Sequence, residues 1–441
     1  MLHLAIPSVL AQLVNALYNI VDRIYIGRIP GEGAAALTGL GICFPVTMLV
    51  SALASLIGVG GGARAAISMG EGNNDKAERI LGTCTASLTL IAVVMTVVLE
   101  LAKRPMLMLF GGSENTISYA TSYLSIYLIG TLPILLSLGL NNLISTQGFA
   151  TVSMRTTLIG AVVNIVLDPI FIFVFGLGVQ GAAIATVLAQ LASALWVVLF
   201  LTGRTTHLRI RRPNLRLDWS LLGPVMAIGV SPFVMQATES VLNVAFNSSL
   251  QKYGGDTAVG ALTISSSVMT IMTCLFLGFA QGAQPILSYN YGAGQSKRVK
   301  QAFRLLFTIC VSVSVVFCLL VELFPGVFVG LFNDDPSLYQ TAVWAIRIYS
   351  AGIWMLGVQH SCQQSFVALG QAKISLCMAL LRKFVLLIPL IYILPHLFSD
   401  PVFAVFLAEP VADICAALTT GTLFFTRLPK ILHEREQTLA N

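Results

Sequence analysis

Asn164 and Asp168 stand one helical turn apart in the run NIVLDPIFIF, and Pro169 follows the aspartate directly. Residues four apart share a helix face. The proline removes a backbone donor and leaves a carbonyl partly free beside the carboxyl. A carboxylate, an amide oxygen and loosened carbonyls make an all-oxygen site suited to a hard monovalent cation; the same carboxyl could instead carry a proton. Asp22 and Thr186 belong with them by depth. Asp22 lies about six residues before the break at Arg28, Asp168 about eight before Gly176, and Thr186 about five after Gly181. At ~1.5 Å per residue all three sit some ~8–12 Å below the same helix ends. Hydrogen-bonded packing between helices is the plainer alternative for Asn164 and Thr186.

A second pattern is a polar stripe that occurs twice. Gln12, Asn15, Asn19 and Asp22 are spaced three, four and three apart in an apolar run, which puts them on one helix face. About 224 residues later Gln236, Glu239 and Asn243 repeat the first three positions. Polar groups inside a membrane helix are costly unless they face a cavity or protein, so the stripes predict a central polar space walled by both halves. Glu239 stands where the first half has Asn15, and adds a carboxylate attractive to a cationic substrate, or one paired with Lys383 or Arg382. Met235, Met269, Met272, Phe276 and Phe279 supply an adaptable lining of the kind promiscuous binders use, or else pack in the core.

The helices that position these groups follow from composition. Of 441 residues 56% are hydrophobic and only 10% are charged, against about a quarter charged in soluble domains. The apolar runs are about 20 residues or longer, which favours membrane-spanning helices over a barrel. There are about twelve, the first near 4–27 and the last near 402–426. Sorting the breaks alternately puts about fifteen Lys and Arg on one side, including Arg204, Arg209, Arg211, Arg212 and Arg216, and about four on the other. By the positive-inside rule both termini are cytoplasmic. The net charge of +6 is thereby explained by position, with no nucleic-acid partner implied.

The longest polar stretch, residues 203–219, divides the chain into an N-terminal six-helix lobe, 1–202, and a C-terminal one, 220–426, with a tail over 427–441. Gly62-Ala63-Arg64, Ser68 and Gly72 match Gly282-Ala283-Gln284, Ser288 and Gly292, and Ala36-Leu37-Thr38 matches Ala261-Leu262-Thr263. Six spans per half give both halves the same orientation. The expected fold is therefore an all-α integral membrane protein, twelve transmembrane helices in two pseudo-symmetric six-helix bundles related by an axis along the membrane normal.

The duplication is incomplete where it matters. Phe246 stands opposite Asp22, and Lys383 and Leu387 stand opposite Asn164 and Asp168, so the ion site should belong to the first half alone. Arg64, Arg382, Lys383, Glu409 and Asp413 are further ionisable residues within spans, each a functional candidate or a paired charge. The eight cysteines lie mostly in apolar runs without a CxxC pair and read as small buried hydrophobes. GVGGGAR at 58–64 lacks the Lys-Ser/Thr ending of a phosphate loop and reads as close helix packing. No nucleophile elbow or metal-ligand spacing marks an enzyme, and no cofactor is expected.

LYNIVDRIYIG at 17–27, NIVLDPIFIF followed by GVQGAAIAT, and the doubled six-span plan together resemble the multidrug and toxic-compound extrusion (MATE) family, in its MepA-like bacterial branch. The resemblance implies a monomeric antiporter in the bacterial inner membrane that exports small cationic or amphipathic drugs in exchange for Na⁺ or H⁺. It implies a cation site at Asp22, Asn164, Asp168 and Thr186, and a role for Glu239 in substrate or ion coupling. The acidic residue that some members carry in the tenth span is absent near Gln359. The rival reading is a flippase for a lipid-linked saccharide or peptidoglycan precursor, which needs a strongly basic cavity.

Overall fold

The computed structural model describes residues 2–29, 33–110, 117–330 and 336–440. Among these there is no β-strand; nearly every residue is helical. Among the described residues nine helices are single runs long and apolar enough to cross a membrane, and two more spans are bent helix pairs. The helix that carries the polar stripe completes twelve. In chain order the spans are α1 (Leu2–Gly27), α2 (Gly33–Gly70), α3 (Asn74–Leu109), α4 (Ile117–Ile129 and Thr131–Thr146), α5 (Ala150–Val174) and α6 (Gly178–Thr202). The second six are α7 (Trp219–Gly255), α8 (Thr257–Gly292), α9 (Ser296–Leu323), α10 (Pro336–Ser350 and Ile353–Ala368), α11 (Ala372–His396) and α12 (Pro401–Ala440).

The repeat extends to the irregularities. α4 bends by 59° and α10 by 44°, at Gly130 and Gly352, about 222 residues apart. At each bend a neighbouring helix comes too close for a side chain: a Cβ on Gly130 would lie 2.4 Å from Val187 of α6, and one on Gly352 would lie 2.7 Å from Pro410 of α12. α5 and α11 each contain a π-helical turn, Ile170–Val174 and Leu381–Leu387. The expected loosening of the backbone at Pro169 thus takes the form of a widened turn immediately after Asp168. Between α7 and α8 the reversal falls at Gly255, whose φ of 62° is open to glycine and strained for other residues.

One face of the molecule gathers the 203–218 segment, the turns at 71–73, 293–295 and 369–371, and the end of α12; it is called the basic face below. The 203–218 segment is docked, not loose. Gln147 Oε1 accepts from Thr206 Oγ1 and Leu208 N, both at 2.7 Å, Arg211 pairs with Glu78 at 2.8 Å, and exposed His207 stacks on Phe149. Asp218 caps α7 by accepting from Ser220 N and Oγ, and it receives Arg79 at 2.8 Å. The Ser220 hydroxyl first, with Arg79 assisting against desolvation, holds the partly exposed Asp218 carboxyl below the usual carboxylate range.

The core around Leu81, Leu88, Leu124 and Leu143 lies mainly in the first half but takes in Leu222 and Val225 of α7, while those around Phe406, Tyr349, Phe366 and Phe424 belong to the second half, and Ala63 packs with Ile228 and Val367 across the two. The halves also meet through glycines. A Cβ on Gly229 of α7 would lie 1.8 Å from the Leu56 carbonyl oxygen of α2, and one on Gly60 would lie 2.1 Å from that of Val225. Gly278 and Gly282 of α8 abut Val9 and Ala5 of α1, and Gly70 and Gly292 press α2 and α8 together. Among the described residues all of these cross-lobe approaches fall in the half of the bundle next to the basic face. Backbone against backbone leaves no room for a side chain, so Gly229→Ala should cost about 1–3 kcal/mol by overpacking. Gly41→Ala, where nothing lies within 4 Å, should be neutral or slightly stabilising. Thermal midpoints of the two purified variants check this; equal midpoints contradict the contact.

Candidate functional site

The first lobe brings its four candidate residues together from three helices. α1 carries Asp22, α5 carries Asn164 and Asp168, and α6 carries Thr186. Asn164 Nδ2 donates to Asp168 Oδ1 at 3.1 Å, the one-turn pairing that the spacing predicts. Both are buried, Asp168 completely. The Asp22 carboxyl lies within hydrogen-bonding reach of the Asp168 carboxyl. Thr186 shares a hydrogen bond with the buried Tyr123 of α4, and Asp22 lies near the same phenol. Asn164 Oδ1 and Asp168 Oδ2 are buried acceptors with no donor among the described residues.

Two carboxyls this close repel unless a proton or a cation is shared between them. The donor set offers two carboxyls, an amide oxygen and a hydroxyl, all hard oxygen ligands. It is a chemical fit to either a proton or a monovalent cation. Tyr123 is a member that the spacing of acids and amides did not reveal. Its signal is Tyr123 and Tyr127 one turn apart in YLSIYLI, which is more simply read as aromatic packing, and the two rings do stack at 6.1 Å.

The stripe residues divide between two settings. Gln12 Nε2 donates to Gln281 Oε1 of α8 at 3.2 Å, and Gln236 Nε2 donates to Ser55 Oγ of α2 at 2.9 Å. The matching glutamines of α1 and α7 therefore each bond across to the other lobe, where they form the floor above the glycine contacts. Asn243 is exposed and donates to the Glu239 carbonyl one turn back. Asn15 is partly buried with a polar partner. The side chain of Asn19 lies outside the described residues. Met235 and Met269 are partly buried, and Met269 packs on both cores of the second lobe. Met272 and Phe276 are core residues and not cavity wall, each 1% exposed, with Phe276 stacked on His360; their regular apolar spacing fits a core stripe equally well.

The second lobe holds charge of another kind. Lys383, in the π turn of α11, is buried and donates to the Met235 carbonyl and to Glu239 of α7. Of the two readings of Glu239 the pairing with Lys383 is the one seen, although the Glu239 side chain keeps 53% of its exposure. Beside it Arg382 Nε reaches Asp413 Oδ1 at 2.7 Å and its Nη2 reaches Glu409 at 3.0 Å, both acids on α12. Two cations thus face three carboxylates, which leaves the cluster one positive charge short of balance when all are ionised. α1–α5 in one lobe and α7–α11 in the other are corresponding helix pairs: a carboxyl–carboxyl contact in the first becomes a carboxyl–ammonium contact in the second. Removal of Arg382 alone would strand two buried acids, so Arg382→Met should cost about 3–5 kcal/mol. Neutralising the partners as well, in Arg382→Met with Glu409→Gln and Asp413→Asn, should recover most of the loss in thermal midpoint.

A chain of twelve spans in two like-oriented lobes, with an acidic oxygen cluster buried in one lobe and paired charges in the other, has the plan of a membrane transport protein built on parallel repeats. The family model MatE matches residues 7–170 and 232–393, and the chain belongs to that family. It is 23% identical over 432 residues to the multidrug export protein MepA of Staphylococcus haemolyticus (strain JCSC1435), covering 97% of this chain and 93% of that one. It is 24% identical over 432 residues to MepA of Staphylococcus aureus (strain N315), covering 95% and 92%. A crystal structure of MATE in the bent conformation superposes with a TM-score of 0.92 at 23% identity, over 100% of this chain and 96% of that one.

Proposed function

We propose that this protein is a secondary active exporter of cationic lipophilic compounds, driven by Na⁺ or H⁺ exchange at Asp22, Asn164, Asp168 and Thr186. The observation that carries the reading is the contact between the Asp22 and Asp168 carboxyls inside the first lobe. The relatives' name, multidrug export protein, supports the substrate class and speaks for a transporter, not an enzyme. The distribution of Lys and Arg supports a cytoplasmic basic face with both termini inside, in a bacterial cell membrane. Lobes closed against each other at that face, and joined by no such glycine contacts elsewhere among the described residues, are then closed to the cytoplasm.

Transport follows from the geometry. An ion or proton entering from outside screens the Asp22–Asp168 repulsion and draws α1 toward α5. Gln12, Asn15, Asn19, Gln236, Glu239, Asn243, Met235 and Met269 line the substrate path between the lobes, and a cationic substrate reaching Glu239 competes with the Lys383 ammonium for it. Because α1 carries both Asp22 and the substrate-facing stripe, ion binding and drug binding are coupled. The coupling is reciprocal, each lowering the affinity of the other by the same factor. The lobes rock about the central space to expose it to either side. A flippase for a pyrophosphate-linked precursor is disfavoured, because Arg382 and Lys383 are each held by acids.

The test is extrusion of ethidium from loaded vesicles under imposed Na⁺ and pH gradients applied separately. Asp168→Asn should abolish gradient-driven extrusion, a loss of about 100-fold or more, with the variant still inserted in the membrane. Wild-type rates in Asp168→Asn would sink the proposed site, and equal rates with and without both gradients would sink ion coupling. Tyr123→Phe keeps the ring and removes the hydroxyl. Loss of the hydroxyl that partners Thr186, a neutral bond, predicts an ion affinity about fivefold weaker, read from the Na⁺ or H⁺ concentration that gives half-maximal extrusion.

A further inference from the structure

A cavity of about 330 Å³ opens at the basic face where the lobes meet. Its wall from the first lobe is Arg64 and Ile67 of α2. The second lobe supplies the start of α7, Tyr291 at the end of α8, the turn at 369–372 and Arg435 of α12. The only charged side chains in this lining are the two arginines. Neither takes part in the acidic cluster of the first lobe or the charge pairs around Glu239.

Arg64 has no hydrogen-bond or ion-pair partner among the described residues, although it is partly buried within a membrane-spanning helix. A guanidinium in that position is costly without a counter-charge. Arg435 is held in place by the rest of the structure. Its Nε donates to the Tyr291 carbonyl at 3.2 Å and its Nη2 to Glu71 at 2.9 Å and to the Gly292 carbonyl at 2.7 Å. These bonds fix the plane of the group and leave Nη1 without an acceptor among the described residues. Glu71 does not neutralise Arg64: it is shared between Arg435 and Lys76. Gln371, hydrogen-bonded with the Tyr291 phenol, adds an amide and a hydroxyl at the same wall.

We propose that this cavity binds a phosphate-bearing anion, the chemistry common to an anionic lipid headgroup and a free phosphate compound. Arg64 and Arg435 hold the phosphate oxygens from opposite lobes, the arrangement in which guanidinium groups recognise phosphate. Ile67, Pro224 and Ile228 offer an apolar wall for whatever the phosphate is esterified to. The position agrees with a headgroup: Arg64 lies six residues from the end of α2 at Gly70, about 9 Å at the helical rise, and basic pockets between membrane helices hold phospholipid headgroups. The repeat shows that the cation is specific to this wall. The second half carries Gln284 where the first carries Arg64, and Gln284 donates to the Val59 carbonyl.

The experiment uses the purified full chain in a neutral detergent. Binding is measured by native mass spectrometry for phosphatidylglycerol and phosphatidylcholine, and by thermal shift for inorganic phosphate against chloride at matched ionic strength. Wild type should prefer phosphatidylglycerol to phosphatidylcholine, or phosphate to chloride, by about tenfold or more, the worth of one to two charge-assisted bonds. A preference in the lipid arm alone identifies a headgroup site, and one in the phosphate arm identifies a soluble ligand. Arg64→Gln, the residue of the matching position, should remove the preference, and Arg64→Lys should restore part of it. Arg155→Gln, an exposed cation outside the cavity, should leave it unchanged. No preference in wild type, wild-type binding by Arg64→Gln, or equal loss in Arg155→Gln would each overturn the proposal.

Discussion

A charge inside a membrane must find a partner in the protein, and most of what is distinctive in this chain follows from how that constraint is met. Hydrocarbon offers neither water nor counter-ions, and an unpaired ionised group costs several kcal/mol. The second lobe answers with permanent pairs, Lys383 with Glu239 and Arg382 with Glu409 and Asp413. The first lobe sets one carboxyl against another, and no protein cation stands between them among the described residues. In the proposed mechanism its balance comes from a small mobile cation or a proton. The second lobe supplies two cations for its three acids, whereas the Asp22–Asp168 pair is the one the proposed exchange assigns to a bound ion or proton.

The same constraint explains the backbone at the two sites. Asp168 and Pro169 directly precede a π turn, and Arg382 and Lys383 sit within one. A π turn widens the helix and re-aims side chains by a fraction of a turn. In α5 the widening begins just after the carboxyl and lets Asp168 keep its one-turn bond to Asn164. In α11 it allows consecutive residues to reach different partners, Arg382 toward α12 and Lys383 toward α7. In an undistorted helix neighbours point about 100° apart, and both could not be satisfied as easily from one stretch of chain.

The large features were legible in the sequence because they rest on period and composition. Twelve spans, two halves and the pairing of Asn164 with Asp168 depend on hydrophobic run length and on i, i+4 spacing, which need no knowledge of neighbours. The approach of Asp22 to Asp168 was suggested only by depth along the helices. Tyr123 was not legible, since an aromatic in an apolar span looks alike whether it packs or donates. The π turn of α11 has no proline at its start to announce it. The cross-lobe bonds of Gln12 and Gln236 were hidden for another reason. A polar stripe shows that a helix face needs polar company, and company in an open cavity and company in a closed interface leave the same pattern.

That ambiguity fits the proposed rocking of the two lobes. The glycines at the basic face allow backbones to touch, and such contacts gain dispersion over many atom pairs while carrying no side chain that must be disentangled when they part. The directional contacts seen there include Gln12 to Gln281, Gln236 to Ser55, Gln284 to the Val59 carbonyl, and Arg435 to Glu71. Each is a single bond worth about 1 kcal/mol or somewhat more when charged. Their sum is small enough to be offset by one ion bound more tightly in one arrangement than in the other, since a population shift is bounded by that differential affinity. In the proposed cycle a glutamine that bonds across the closed floor would become a cavity residue once the floor opens, so one stripe would serve both states, and the neutral amide, unlike Glu239, would carry no charge into either.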